Sequence, residues 1–323
     1  METRNLGPLG PVSILALGGG GIGQIWGETT RKECVATARA AVDDGITLLD
    51  MAARYGDGEA EDVIGEAFEG RLPDGVRVTT KCQLGETPPA EIEARLRDSL
   101  AGSLKRLRVE RVDVFFLHSN IVPDDHPMRE HPDASWRMTP RSQFEDAVRP
   151  ALERLVADGL AGAWGITGIG HPDVIMEVLN EDPAPAVVQA ITNPLNSPGG
   201  LKFFKGPSKA REIIATAKAR GIGVMGIRAV QAGAFTDQID RPLPDDHPEM
   251  RDYRITERYR NYAAEQGILS AILAHRYAIA MDGVDTVVLG VKDRDELADC
   301  VGAANAPPLP QMMIEQVDAC FSF

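Results

Sequence analysis

The sequence predicts a single (β/α)8 TIM barrel spanning residues 1–323, and three observations carry that expectation. Eight short aliphatic runs recur at wide, fairly even intervals, each followed by a helical pattern: ILALG (14–18), ITLLD (46–50), VRVTTK (76–81), VDVFFLH (112–118), LAGAWGIT (160–167), AVVQAI (186–191), GIGVMGI (221–227) and DTVVLGV (285–291). Most of these runs are continuously apolar, as strands of a parallel sheet covered on both faces must be. No linker-like stretch and no strong internal repeat divides the chain. Strict strand–helix alternation over about 250–300 residues favours one closed barrel over two domains.

Each element has a local reason. RNLGPLGPVSIL places two short segments around Gly7-Pro8, which predicts a small β-hairpin before the first strand, where it can plug the barrel bottom. Thr29 and Thr30 precede a helix over 31–44 that stops at Asp44-Gly45. Pro88, Pro89 and Glu91 open a long helix through Leu107. Helices near 143–158 and 208–220 end at Asp158-Gly159 and Arg220-Gly221, a glycine stop directly before a strand. Three connections exceed what a barrel needs: 119–142, with four prolines, His126, His131 and Trp136; 192–207; and 228–255. All follow strand C-termini, on the face where barrel enzymes bind substrate, and Trp136, Phe203, Phe204 and Tyr253 suit partial ordering over a pocket.

Composition narrows the function. A net charge of −14 argues against nucleic acid and gives no support for an anionic membrane surface. METRNLG lacks the apolar core of a secretory signal, and no stretch is long and apolar enough to span a bilayer. Cys34, Cys82, Cys300 and Cys320 show no disulfide or zinc spacing and read as reduced thiols, so a cytoplasmic location is expected. Cys82 reads as a small buried side chain rather than a reactive one. The six histidines show no metal-ligand spacing, so no metal is expected.

The chemistry gathers at strand ends. Strand two ends on Asp50, with Tyr55 in the loop beyond; strand three ends on Lys81; strand four ends on His118. Barrel closure brings such ends to one rim, so the four residues are expected to share a site. A phenol titrates near about pH 10 and is a weak acid unaided. A nearby ammonium favours the phenolate, and a carboxylate holds the ammonium charged. A histidine can polarise a carbonyl by hydrogen bonding. Together these groups suit carbonyl reduction, or its reverse, with hydride from a nicotinamide.

The sequence resembles the aldo-keto reductase family over nearly its whole length. LLDMAARYG is similar to that family's Asp-Thr-Ala-x-x-Tyr-Gly signature, with Met51 in place of Thr, and VTTK and FFLH match the motifs that bear its Lys and His. The resemblance implies Tyr55 as general acid, tuned by Lys81 and Asp50, with His118 orienting the carbonyl. It implies Thr167 (in WGITG) and Gln189 (in VVQAITNPLN) as contacts of the nicotinamide carboxamide, with Gly168 and Thr192 replacing the usual Asn and Tyr. Ile227 stands where an aromatic stacks on the nicotinamide. Arg228 is either a bidentate pyrophosphate donor or a surface ion-pair partner. LGVKDRDELADCVG (289–302) is similar to the loop and helix that grip the adenosine end, implicating Lys292, Asp293, Glu296 and Cys300. Lys292 would face a 2′-phosphate, whereas Asp293 sets a negative charge beside it. NADPH is the implied cofactor, NADH its alternative, and a small carbonyl compound the implied substrate.

GGGGIG (18–23) satisfies a dinucleotide-binding glycine pattern, but QIWGETT separates it from the next helix, so the Rossmann reading is rejected. Two other roles use the same residues: a dehydrogenase oxidising a sugar hemiacetal or similar alcohol, and a cofactor-binding regulatory subunit with little turnover.

Overall fold

The computed structural model describes residues 1–127 and 135–321. Within them eight parallel strands close into a barrel in sequence order: Leu15–Gly18, Leu48–Asp50, Arg77–Cys82, Val112–Leu117, Ala161–Thr167, Val187–Ile191, Gly223–Ile227 and Thr286–Leu289, here strands one to eight. Strand eight pairs with strand one, Val287 opposite Leu15, which closes the ring. Every predicted run holds one of them.

The helices lie outside, and their ends follow the sequence signals. Thr30 caps Arg31–Asp43 by accepting a hydrogen bond from the Glu33 amide at 3.2 Å. Pro89–Glu91 forms a 3-10 turn leading into Ile92–Leu107. The predicted 143–158 helix is more complex: Arg141–Gln143 is α, Phe144–Val148 is a π segment, and Arg149–Ala157 returns to α. No signal distinguishes a π turn from an α turn in an apolar-periodic stretch.

The hairpin forms as expected. Thr3–Asn5 pairs antiparallel with Pro11–Ser13, and Gly7–Leu9 makes a 3-10 turn between them. Leu6 is fully buried, and Gly7, at φ +50°, lies against the backbone of Gly223 so closely that a Cβ would fall 2.4 Å from its nitrogen. The hairpin therefore seals one end of the barrel.

Side-chain alternation along the strands sorts residues between two cores. Ala16, Leu48, Val114, Phe116, Val187 and Met225 pack with Leu6 and Val12 of the hairpin in a cluster of their own, the barrel interior. The larger cluster lies between strands and helices. Gly165 gives up its side chain to Phe116, whose ring would sit 2.5 Å from a Cβ there. Two residues further along these inner rows come Asp50, His118, Gln189 and Ile227, so the candidate site is the next layer up from the packed interior.

The long connections carry regular elements of their own. After strand four, Asn120–Val122 forms a short parallel ladder with Met138–Pro140, and His131 lies outside the described residues. The connection after strand seven holds the helix Pro248–Ile255, followed by Glu257–Glu265 and Ser270–Ala280. No described helix is long and apolar enough to cross a membrane. All four cysteines are buried and unpaired to one another.

Candidate active site

Strand two ends on Asp50, 1% exposed, and strand three carries Lys81, also 1% exposed, to the same level. Lys81 Nζ donates to Asp50 Oδ2 at 2.8 Å, to the Met51 carbonyl at 2.8 Å and to the Tyr55 hydroxyl at 3.4 Å. The three donors of the ammonium are thus all directed. The other Asp50 oxygen, Oδ1, accepts from Thr79 Oγ1 at 2.7 Å and from Gln189 Nε2 at 2.9 Å. Taking two charges out of water costs several kcal/mol each unless every lone pair and proton is used, and here they nearly all are.

Tyr55 packs edge-on against His118, with ring centroids 5.8 Å apart and planes at 89°. His118 closes the strand-four row, its amide donating to the Cys82 carbonyl at 2.7 Å and its Nδ1 buried with no hydrogen-bond partner among the described residues. Asp50, Tyr55, Lys81 and His118 therefore converge at one rim, as their positions at strand ends suggested.

The electrostatics are less simple than the sequence suggested. Burial raises the Tyr55 pKa; Lys81 pulls it down and Asp50 pushes it up, and the net shift is upward, where the sequence reading had lysine lowering it. The Lys81 ammonium is opposed by burial, yet Asp50 and Tyr55 outweigh that and raise its pKa. Burial, with Lys81, Arg137 and Arg54 adding to it, lowers His118 to about 3, so the imidazole is neutral at ordinary pH.

The candidate cofactor residues fall into two groups. Thr167 and Gln189, each 2% exposed, sit beside the tetrad; Thr167 Oγ1 donates to the Leu117 carbonyl at 3.1 Å, and Gln189 is tied to Asp50. Ile227 is half-buried and packs with Ile169, Ile191 and Ala210. Arg228, at φ +57°, pairs with Glu249 at 3.0 Å, and its Nε donates to Gln231 Oε1 at 2.7 Å. Gln231 in turn binds Asp252 at 2.8 Å, so Arg228 belongs to a buried polar network that the sequence did not reveal. Burial lowers the Arg228 pKa against the pull of Glu249.

Lys292 lies further round the mouth and is ion-paired with Glu296. Asp293 caps the helix Arg294–Asn305, accepting from the Glu296 amide at 2.9 Å. Cys300 is a core residue, 4% exposed, with Sγ 3.9 Å from His275 Nδ1 and its thiol pushed up to about 12 by burial.

The sequence matches the Aldo/keto reductase family over residues 14–322, nearly the whole chain. The chain belongs to that family. As an aldo/keto reductase it is an NAD(P)H-dependent oxidoreductase. L-galactose dehydrogenase of Arabidopsis thaliana is 24% identical over 307 residues, covering 94% of this chain and 88% of that protein. An aldo/keto reductase from Klebsiella pneumoniae, solved in complex with NADP and acetate, superposes with a TM-score of 0.68 at 21% identity, over 99% of this chain and 95% of that one. The glycerol dehydrogenase from Gluconobacter oxydans superposes at 0.70 and 23% identity, over 98% and 94%. This aldo/keto reductase therefore shares the family's barrel along its full length.

Proposed function

We propose that this protein reduces an aldehyde or ketone to the alcohol with NADPH, with Tyr55 as the general acid. The observation that carries this reading is the convergence of Asp50, Tyr55, Lys81 and His118 through direct contacts at one rim. The residues around them suit a nicotinamide dinucleotide. Thr167 and Gln189 flank the tetrad with amide-competent groups, and Arg228 and Lys292 supply two cations at the ends of strands seven and eight, where barrels hold phosphate. When bound, NADPH supplies hydride to the carbonyl carbon.

The chain's own part is proton transfer and positioning. Tyr55 gives its hydroxyl proton to the carbonyl oxygen as that oxygen becomes an alkoxide. An alkoxide is a far stronger base than a phenolate, so the transfer runs downhill even from a phenol whose pKa burial has raised. Lys81 stabilises the resulting phenolate, and Asp50 keeps the ammonium charged and aimed. Neutral His118 donates a hydrogen bond to the carbonyl without adding a second full positive charge.

The test is a titration with both reduced cofactors, followed by a panel of aldehydes and ketones. Tyr55→Phe is expected to lose at least about 10²-fold in turnover while cofactor affinity stays near wild type. Retained turnover would remove Tyr55 from the acid role. Tight cofactor binding without turnover on any carbonyl would favour a regulatory subunit.

One observation favours a second reading, NAD-linked oxidation of an alcohol or hemiacetal. Glu296, Asp293 and Asp240 all act on Lys292. Three carboxylates around one ammonium suit a ribose hydroxyl better than a doubly charged phosphate. The full-length relative named for L-galactose oxidation points the same way. Lys292→Ala separates the two: with NADPH as cofactor it weakens NADPH more than NADH, and with NAD it affects both alike.

A further inference from the structure

Arg54 lies on the loop between Asp50 and Tyr55, and Arg137 on the segment that returns after strand four. Both guanidiniums stack on one indole, that of Trp136, with Cζ 4.3 Å and 4.4 Å from the ring centroid. The two charges are therefore no further apart than those two distances together allow. A cation–π contact holds a guanidinium in place but leaves its charge and most of its donors unspent.

This pairing stands out in an acidic chain. Acidic residues outnumber basic ones, 48 to 34, and several other arginines are matched by carboxylates: Arg141 and Arg149 with Glu181, Arg106 with Glu61, Arg228 with Glu249. Among the described residues, no carboxylate pairs with Arg54 or Arg137. Burial lowers the Arg137 pKa, and among the described residues the charge that adds to it is that of Arg54. Two like charges held on one ring, Arg54 exposed and Arg137 half-buried, repel until an anion joins them.

Their position says what the anion belongs to. Both arginines act on His118, and Arg54 directly precedes Tyr55, whose ring is 5.8 Å from the His118 ring. The ammonium of Lys81 is already balanced by Asp50. The cofactor-side cations, Arg228 and Lys292, follow strands seven and eight, whereas Arg54 and Arg137 follow strands two and four.

We propose that Arg54 and Arg137, clamped on Trp136, form an anion subsite over the tetrad, and that the physiological substrate carries a carboxylate or phosphate besides its carbonyl or hydroxyl. The proposal rests on the oxidoreductase reading of the tetrad and adds the substrate's charge. Guanidiniums bind either anion bidentately, so the shared chemistry is a planar or tetrahedral oxyanion on a short carbonyl compound.

Matched pairs test it: succinic semialdehyde against butanal for the carboxylate, and glyceraldehyde phosphate against glyceraldehyde for the phosphate. The wild type is expected to favour the anionic member of at least one pair by about tenfold or more in kcat/KM, and the preferred pair identifies the anion. Arg54→Gln or Arg137→Gln should each cut that ratio about tenfold, through KM, and Arg54→Lys should restore part of it. A ratio near one in both pairs, or one indifferent to these substitutions, overturns the proposal.

A binding arm keeps this separate from the chemistry. Succinate and inorganic phosphate are titrated while following tryptophan fluorescence, to which Trp136 contributes. A saturable change with either anion, lost in the Arg54→Gln/Arg137→Gln double variant, supports the subsite; none with either, or one that survives the double variant, overturns it. Failure of every aldehyde to turn over would sink the reductase reading, and the binding arm would still decide the subsite.

Discussion

Asp50 is the residue on which most of the site depends. It holds Lys81 on one oxygen and gathers Thr79 and Gln189 on the other, so strands two, three and six meet at one carboxylate. Removing one partner of a buried pair leaves the other charge uncompensated. Asp50→Ala should therefore lower unfolding stability by about 3–5 kcal/mol, measured by urea melts, in addition to abolishing turnover. Asp50, Tyr55, Lys81 and His118 were readable from sequence because ionisable side chains close successive apolar runs. Thr79 and Gln189 as partners of Asp50 were not, since their bonds exist only once the barrel is closed. The direction of the Tyr55 shift was equally hidden, because it depends on burial outweighing a neighbouring charge. A second buried group also bears on pH. His275, 5% exposed and bound through Nδ1 to the Ala271 carbonyl, is lowered by burial to about 4. The unfolded chain, with an imidazole near about 6.5, takes up that proton first as pH falls. The contribution is whole above about pH 6.5 and is lost toward pH 4, by about 3 kcal/mol. His275→Asn should flatten the acid side of the stability profile by about that amount.

At the scale of elements, caps and glycine stops were legible because they are local. Thr30 and the Gly45 and Gly159 turns need only a few neighbouring residues to form. The parallel ladder of Asn120–Val122 with Met138–Pro140 was not legible, as its strands are separated by a proline-rich stretch without alternation. Asp293 shows how one residue can read differently from below. Beside a phosphate it is a misplaced charge, yet its side chain satisfies the Glu296 amide, one of the free amides in the first turn of the helix Arg294–Asn305. Asp293→Ala should cost about 1 kcal/mol by thermal or chemical unfolding, while Asp293→Ser should lose much less because serine also caps. Should Asp293→Ser also tighten NADPH, the carboxylate was opposing the 2′-phosphate.

For the whole molecule, strict strand–helix alternation over this length pointed to the barrel, since a closed ring of eight parallel strands buries such runs on both faces without leaving an edge. What periodicity could not supply is the layering inside it. Phe116 fills the space that Gly165 vacates, and the polar layer of Asp50, Gln189 and His118 begins directly above. Gly165→Val should be destabilising by about 1–3 kcal/mol through overpacking beside Phe116, and the unfolding midpoint reports it. The hairpin completes this arrangement at the other end, where Leu6 and Gly7 close against Gly223. A vessel stoppered at its base has one doorway. A dinucleotide whose nicotinamide lies beneath the substrate would enter first and leave last. Product-inhibition patterns should then be those of an ordered queue, competitive only between the two forms of the cofactor.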